Sequence, residues 1–292
     1  MIHFQYQQFL ILLILLIIGK STAYIYLSWI DIVTILSVIV LIEHFFIYFK
    51  SRTLIYISFS ALSSSLGVIL MLSSPHLWIY MFVIMLGLLQ KHFIRIAGKH
   101  LFNPSNFALM MGLLFFYDEA HIVLGQLGDE RWLQVLALIL AFSILIRVQR
   151  WVISMVFIVS YVGIQYAIIV SSDPMIIIED IFLRFSSISF LLFLLFMLTD
   201  PKTTPHTPLK QIFFALFIAF FSSVLDYFYG FRVQHLFLSL FFFSFVCMYV
   251  EILERKVYTK IEILKLFLLL ILVLSAIIYI ELQPPYYLEM NG

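Results

Sequence analysis

Lys99-His100-Leu101-Phe102-Asn103-Pro104-Ser105-Asn106-Phe107 is a polar, proline-bearing stretch between two long apolar runs. A second stretch of the same kind, Thr199-Asp200-Pro201-Lys202-Thr203-Thr204-Pro205, follows later in the chain. Proline has no backbone N–H and disfavours helix at the residue before it, so each stretch predicts an interruption between helices. We call them the first break (residues 99–107) and the second break (residues 199–205).

The composition around these breaks is that of a polytopic membrane protein. Hydrophobic residues make up 64% of the 292 residues and charged residues 11%, whereas water-soluble domains carry about 25% charged residues. We therefore expect one integral membrane domain over residues 1–292. The one cysteine, Cys247, excludes an internal disulfide and cannot alone hold zinc or an iron–sulfur cluster. We find no phosphate-binding loop, catalytic constellation, metal-ligand set or nucleic-acid-binding tract.

Apolar runs of membrane-spanning length predict an all-α fold. A transmembrane helix needs about 20 mostly apolar residues to cross about 30 Å of hydrocarbon. Reading the runs between charges and prolines gives eleven candidate spans. They lie at about residues 7–27, 30–49, 53–73, 77–97, 105–125, 132–147, 150–171, 181–199, 209–226, 235–252 and 262–281.

Lysine and arginine predict the orientation, because loops rich in these residues stay on the cytoplasmic side. Of the 17 lysines and arginines, one set of loops holds only Lys20, Arg131, Arg184 and Arg232, and the other set holds the rest. We therefore expect a multi-pass protein of the cell inner (plasma) membrane. Its amino terminus should be cytoplasmic and its carboxyl terminus outside.

Two short similarities indicate an internal repeat. Ser73-Ser74-Pro75 aligns with Thr199-Asp200-Pro201, and Lys99-His100-Leu101-Phe102 aligns with Gln234-His235-Leu236-Phe237. Five spans in each half would make the halves cross the membrane in opposite senses, as in the inverted repeats of many transporters. The two halves and an extra helix are predicted at about residues 1–128, 131–256 and 262–281.

The two breaks form the candidate binding site. Irregular backbone at membrane depth persists only where protein or a wet cavity satisfies its polar groups. Asn103 or Ser105 can cap a helix that begins here, which would leave backbone N–H groups to face a ligand. Both breaks are predicted at cytoplasmic helix ends and would line one pocket; the alternative is two ordinary loops with cap residues. The candidate binding residues are Lys99, Asn103, Pro104, Ser105, Asn106, Thr199, Asp200, Pro201, Thr203 and Thr204.

Charged residues near the first break leave further alternatives open. Lys91, Arg95 and Lys99 stand at i, i+4 and i+8, so we predict that they share one helix face. They would either anchor the helix at the inner interface or cradle an anionic ligand such as a flavin phosphate. Glu43 and His44, near the inner end of the second span, would either snorkel to the interface or serve a proton path.

The motifs at the two breaks resemble those of a known family. His100-Leu101-Phe102-Asn103-Pro104-Ser105-Asn106, within Lys91–Gly112, is similar to the FNP-type motif of the NqrB/RnfD-like membrane proteins. The family includes membrane subunits of the sodium-translocating NADH:quinone oxidoreductase (NqrB) and of the Rnf electron-transport complex (RnfD). Phe196-Met197-Leu198-Thr199-Asp200-Pro201 resembles their second hallmark, and the similarity covers about residues 55–250. The resemblance implies a urea-transporter-like inverted-repeat fold, flavin binding, and electron transfer coupled to cation movement.

One departure from the family pattern concerns the cofactor linkage. The well-studied members attach FMN to a threonine in a Ser-Gly-Ala-Thr motif that precedes the Thr-Asp-Pro element. This chain has no threonine between Thr53 and Thr199 and no such motif. Because the acceptor hydroxyl is missing, we expect FMN or riboflavin to bind non-covalently, and no covalent FMN.

Three functions are compatible with these motifs. The first is a membrane subunit of an electron-transport system that holds a flavin or quinone between the breaks. It would need other electron-transport subunits, because the chain carries no other redox centre. The second is a small-solute transporter or channel on the same scaffold without redox chemistry. The third is an assembly subunit whose breaks only pack.

Overall fold

The computed structural model is that of an α-helical membrane protein. It describes residues 2–21, 25–52, 58–96, 99–123, 149–170, 187–255 and 260–283, with Phe185 and scattered positions between 132 and 143. The helices are α1 (Ile2–Ser21), α2 (Trp29–Ser51), α3 (Phe59–Met71), α4 (Leu77–Phe93), α5 (Pro104–Phe115), α6 (Trp151–Gln165), α7 (Ile188–Leu192), α8 (Pro208–Tyr229), α9 (Gln234–Arg255) and α10 (Lys260–Leu282). Wider π-helical turns, Tyr166–Val170 and Phe193–Met197, continue α6 and α7.

Ten of the eleven predicted spans coincide with a helix, and the sixth, at about 132–147, lies largely outside the described residues. Not all of these helices are long enough to cross a bilayer. Among the described residues, four spans are long and apolar enough, and they lie in α2, in α6 with its π-helical turn, in α8 and in α10. In contrast, α3 has 13 residues and α5 has 12. At 1.5 Å per residue they extend about 20 Å, less than the hydrocarbon thickness of about 30 Å.

Short antiparallel ribbons follow these truncated helices. Strand β1 (Leu72–Ser73), directly after α3, pairs with β4 (His121–Ile122), which follows α5. Strand β2 (Arg95–Ile96), after α4, pairs with β3 (Lys99–His100), which leads into the first break. Backbone that leaves a helix inside a membrane must find other hydrogen-bond partners, and the ribbons provide them.

Close helix contacts hold the first break in the interior. α4 packs on α5 at Gly87, where an added Cβ would lie closer than 3.0 Å to the carbonyl oxygen of Pro104. Phe102 is buried and stacks on Phe241 of α9, with ring centroids 4.4 Å apart. The first break is therefore fixed between α4 and α9 and belongs to the packed core.

Candidate functional site

The two breaks meet in the folded chain. The Asn103 side-chain amide donates a hydrogen bond to Asp200 Oδ2 at 2.9 Å, although the two residues are 97 positions apart. Beside this contact lies a cavity of about 400 Å³, lined by the two breaks together with parts of α1 and α3. We call it the inner cavity. The breaks therefore share one cavity and are not two separate surface loops.

Asn103 organises the first break as the N-cap of α5. Its Oδ1 accepts hydrogen bonds from the backbone N–H of Ser105 at 3.0 Å and of Asn106 at 3.2 Å. Pro104 has no N–H, and the N–H of Phe107 donates to the Asn103 carbonyl at 2.9 Å. The first-turn donors of α5 are thus satisfied within the break. The prediction that free backbone N–H groups face a ligand here is wrong, because the cap side chain occupies them.

Asp200 organises the second break in a similar way. Its Oδ1 accepts from the backbone N–H of Lys202 at 3.0 Å, and its carbonyl accepts from the N–H groups of Thr203 and Thr204. The hydroxyl of Thr204 also donates to this carbonyl at 2.7 Å. Thr199 turns its hydroxyl back to the Leu195 carbonyl at 2.7 Å. The Asp200 carboxylate is therefore held in place by both breaks at the cavity wall.

The predicted binding residues divide into two groups. Thr203 and Thr204 are buried within the turn of the second break, and Asn106 donates its amide to the Phe237 carbonyl at 3.2 Å, tying α5 to α9. Lys99 lies in β3, and its side chain is outside the described part of the structure. The predicted residues that do line the inner cavity are Asn103, Pro104, Ser105, Thr199, Asp200 and Pro201.

The wall of the inner cavity carries more positive than negative side chains. Lys91, Arg150 and Lys202 line it, and the one acidic residue among the described lining residues is Asp200. Burial lowers the pKa of Lys202, and the nearby Asp200 carboxylate partly offsets that effect. Lys91 is already neutralised by Glu43, whose Oε1 lies 2.6 Å from the lysine Nζ. The remaining charge favours a ligand with carbonyl oxygens or an anionic group.

His100 adds a neutral group to the wall. Burial lowers its pKa from 6.5 to about 4, even though the charge of Asp200 acts in the opposite direction. At neutral pH the imidazole therefore has one N–H and one free nitrogen lone pair, so that it can donate and accept a hydrogen bond.

One prediction about the neighbouring charges is wrong, and one of the two alternatives for Glu43 is excluded. α4 ends at Phe93, so Arg95 lies in β2, is exposed, and does not share a helix face with Lys91. Glu43 does not snorkel: it is 1% exposed and is held by Lys91 and by His92 Nε2, the latter at 2.8 Å. A buried carboxylate requires such partners, and here α4 supplies them.

Other lining residues were not identified from the sequence. Gln5 and Gln8 of α1 stand three residues apart, just before the apolar residues 9–19 of that helix. Ser60, Ser63 and Ser64 form a similar stripe on α3. Polar stripes of this kind could have indicated the cavity. The Ser63 hydroxyl is buried and has no hydrogen-bond partner among the described residues, so it is available to a ligand.

Two further lining residues carried no local signal. Arg150 lies just before α6, and its guanidinium contacts His206 Nδ1 at 2.9 Å after the second break. Only the packing of α6 against α8 brings these two residues together.

The second half of the chain matches a known family. Residues 117–259, just under half of the chain, match the family described as NQR2, RnfD, RnfE. The matched segment contains the second break and excludes the first. A comparison with curated proteins finds no match. The resemblance to the NqrB/RnfD-like membrane proteins is therefore confirmed over residues 117–259, which include the second of the two motifs.

Proposed function

We propose that this protein is the membrane subunit of an Nqr- or Rnf-type electron-transport complex, and that its inner cavity binds a flavin or a quinone non-covalently. The observation that carries the proposal is the Asn103–Asp200 hydrogen bond, which joins the two family-like motifs at one cavity. The family match over residues 117–259 supports the complex, and the inner cavity supports the ligand.

The size and lining of the inner cavity fit such a ligand. Small-molecule sites generally enclose about 300–1,000 Å³ and combine apolar walls with a few polar groups. Here Leu195 and Phe196 supply apolar surface, and Ser63 and His100 offer hydrogen bonds. A flavin ring or a quinone presents flat apolar faces with carbonyl groups at its edge, which matches this division.

The bound group would supply the electron transfer, and the protein would set its potential. Lys202 and Arg150 line the cavity, and Asp200 is the one carboxylate among its described lining residues. Positive charge near a flavin or quinone stabilises its reduced, anionic form and raises its potential. Coupling of electron transfer to cation movement is part of the same proposal and is supported by the family.

We also propose an inverted repeat with eleven crossings. The packing order α2–α4–α5 in the first half recurs as α6–α8–α9 in the second. The halves join where α5 contacts α9 and where α3 contacts α7. A Cys247→Ser background with single cysteines introduced at Lys20 or Arg52 tests the orientation: an impermeant thiol reagent applied from outside should label the first position and spare the second.

The ligand is tested by purifying the protein from its native membranes in mild detergent. Acid extraction should release flavin with its characteristic absorbance, or a quinone identified by mass. Asp200→Ala should lose most of the ligand, because the variant removes the carboxylate that joins the breaks. Thr207→Ala is the matched control, since Thr207 is exposed, lies outside the inner cavity and makes no side-chain cap bond.

Two results would overturn the ligand proposal. One is a preparation that contains neither flavin nor quinone while Asp200→Ala and the wild type behave alike. The other is uptake of a small solute by proteoliposomes that Asn103→Ala abolishes without any bound redox group, which would favour the transporter. Flavin that stays attached after denaturation would contradict only the non-covalent linkage.

A further inference from the structure

A second buried polar cluster lies at the opposite end of α8 from the inner cavity. It consists of Asp226 on α8, His235 at the start of α9 and Glu281 on α10, and we call it the outer triad. These residues are 4%, 0% and 5% exposed. Asp226 is 18 residues beyond Pro208, where α8 begins beside the second break. At 1.5 Å per residue, the helix places the triad about 27 Å from that end.

Both nitrogens of the histidine ring face carboxylates. His235 Nδ1 lies 2.7 Å from Asp226 Oδ1, and Nε2 lies 3.1 Å from Glu281 Oε2. A neutral imidazole carries one N–H, so with both carboxylates ionised one ring lone pair would point at a carboxylate oxygen. The observed geometry therefore requires one additional proton, either on the ring or on a carboxyl group.

We propose that Asp226, His235 and Glu281 form a proton-binding site inside the membrane domain, which takes up and releases a single proton. The three groups share that proton, so that its titration belongs to the triad as a whole. The proposal does not depend on which ligand occupies the inner cavity.

Neutral donors on neighbouring elements support the Asp226 carboxylate. From α6, the amide of Gln165 donates to Asp226 Oδ2 at 2.6 Å, and the hydroxyl of Tyr161 donates to the same oxygen at 3.2 Å. Both donors contact Oδ2, whereas the histidine contacts Oδ1, so the two oxygens of Asp226 have different partners. Asp226 is therefore the fixed acceptor of the triad.

Charged and polar groups also surround Glu281. Gln234 donates to its Oε1 at 3.2 Å, and Arg232 Nη1 lies 3.7 Å from Oε2. Tyr117, with its neighbour Asp118 after α5, faces Arg232 and Gln234 from the remaining side. Among the four described groups, the cations of the protonated histidine and of Arg232 balance the two triad carboxylates. Loss of the proton changes the charge of this buried set by one unit, so proton occupancy depends on nearby charge.

A short path connects the outer triad to the surface. The Arg232 side chain is 12% exposed, and its Nη1 also donates to the Gln283 carbonyl at 3.4 Å, near the end of α10. Gln234 is partly exposed at the start of α9. Both side chains contact Glu281 and are partly exposed, which gives a proton a route in and out.

Nuclear magnetic resonance of the full protein, with histidine labelled by ¹⁵N, tests the proposal in detergent. At low pH both ring nitrogens of His235 should carry protons, and one should lose its proton as the pH rises within the folded range. His235→Gln identifies the signal. The wild-type measurement needs no variant to fold, and Asp226→Asn provides a second perturbation.

Glu281→Gln is the decisive variant. Its amide can donate to Nε2 while Nδ1–H donates to Asp226, so a neutral imidazole satisfies both contacts of the ring and the extra proton is not required. We expect the two-proton state of His235 to move to lower pH, and the titration of the protein to release about one proton fewer in the wild-type transition range. Glu254→Gln is the control, because Glu254 is exposed, is paired with Lys210, and lies at the opposite end of α9 from His235.

Two results would overturn the proposal. In the first, His235 keeps both protons at every pH at which the protein stays folded, which would make the triad a static ion pair. In the second, Glu281→Gln and Glu254→Gln titrate like the wild type. Either result leaves the flavin or quinone proposal unaffected, since the ligand of the inner cavity is measured in a separate extraction experiment.

Discussion

Exchanging the two partners of the bond between the breaks is the most direct test of the site. In Asn103→Asp, the new carboxylate still caps α5, because aspartate is as good an N-cap as asparagine. However, it can no longer donate to Asp200, and two carboxylates then face each other across 2.9 Å. The single variant therefore removes the contact between the breaks and adds repulsion while leaving the cap intact.

The double variant Asn103→Asp/Asp200→Asn should restore the contact. The amide introduced at position 200 can donate to the carboxylate at position 103, and its oxygen can still accept from the N–H of Lys202. Every hydrogen bond of both side chains is then re-formed with donor and acceptor exchanged. A double-mutant cycle isolates the energy of this one pair.

The expected magnitude follows from the kind of bond that is lost. A hydrogen bond to a charged group contributes about 1.5–3 kcal/mol. With repulsion added, Asn103→Asp should cost about 3 kcal/mol. At about 2 °C per kcal/mol, the value for chains near this size, the melting temperature should fall by about 6 °C. The double variant should recover most of this loss.

The assay is thermal unfolding in detergent followed by circular dichroism, with bound ligand measured in the same samples. Asn103→Ser serves as the control, since serine keeps the cap but has no amide to reach Asp200, and it should lose about 2 kcal/mol without the repulsion. The reasoning is refuted if Asn103→Asp melts like the wild type, or if the double variant melts no higher than the single one.

Three further outcomes are expected. Gly87→Ala should destabilise the protein by about 2 kcal/mol, because the added Cβ would lie within 3.0 Å of a backbone carbonyl in the first break. Gly163→Ala is the control: its Cβ would meet open space, so it should be neutral or slightly stabilising in the same melting assay. Glu43→Ala should lower the free energy of unfolding by about 3 kcal/mol, because it leaves the largely buried Lys91 without its carboxylate. Glu254→Ala removes the carboxylate of an exposed pair and should lower it by less than about 1 kcal/mol. Equal melting temperatures of the two variants would contradict this prediction. The pKa of His100 is about 4 in the folded protein and 6.5 in the unfolded chain, so the unfolded chain binds more protons between these two values. The free energy of unfolding should therefore rise by about 3 kcal/mol from pH 4 to pH 6.5 and then stay level. His100→Gln should flatten this pH dependence, and an unchanged pH dependence would exclude His100 as its source.

Helix positions were predicted well because they depend on local composition. Apolar runs bounded by charges and prolines predict ten of the described helices, and Asn103-Pro104 predicts a helix start that the structure confirms. α3 ends at Met71 and α5 at Phe115, before the predicted span ends at residues 73 and 125, because Leu72–Ser73 and His121–Ile122 pair with each other as strands β1 and β4. Hydropathy does not distinguish an apolar strand from an apolar helix turn.

The sequence by itself determined the membrane class, the order of the helices and the two breaks, since each depends on neighbouring residues along the chain. The tertiary structure decided which distant side chains meet. Asn103 reaches Asp200, Arg150 reaches His206, and Glu281 reaches His235 only because helices pack at close contacts such as the one at Gly87. The spacing of residues on one helix defines neighbours within a turn or two, whereas contacts between helices depend on how the whole core packs.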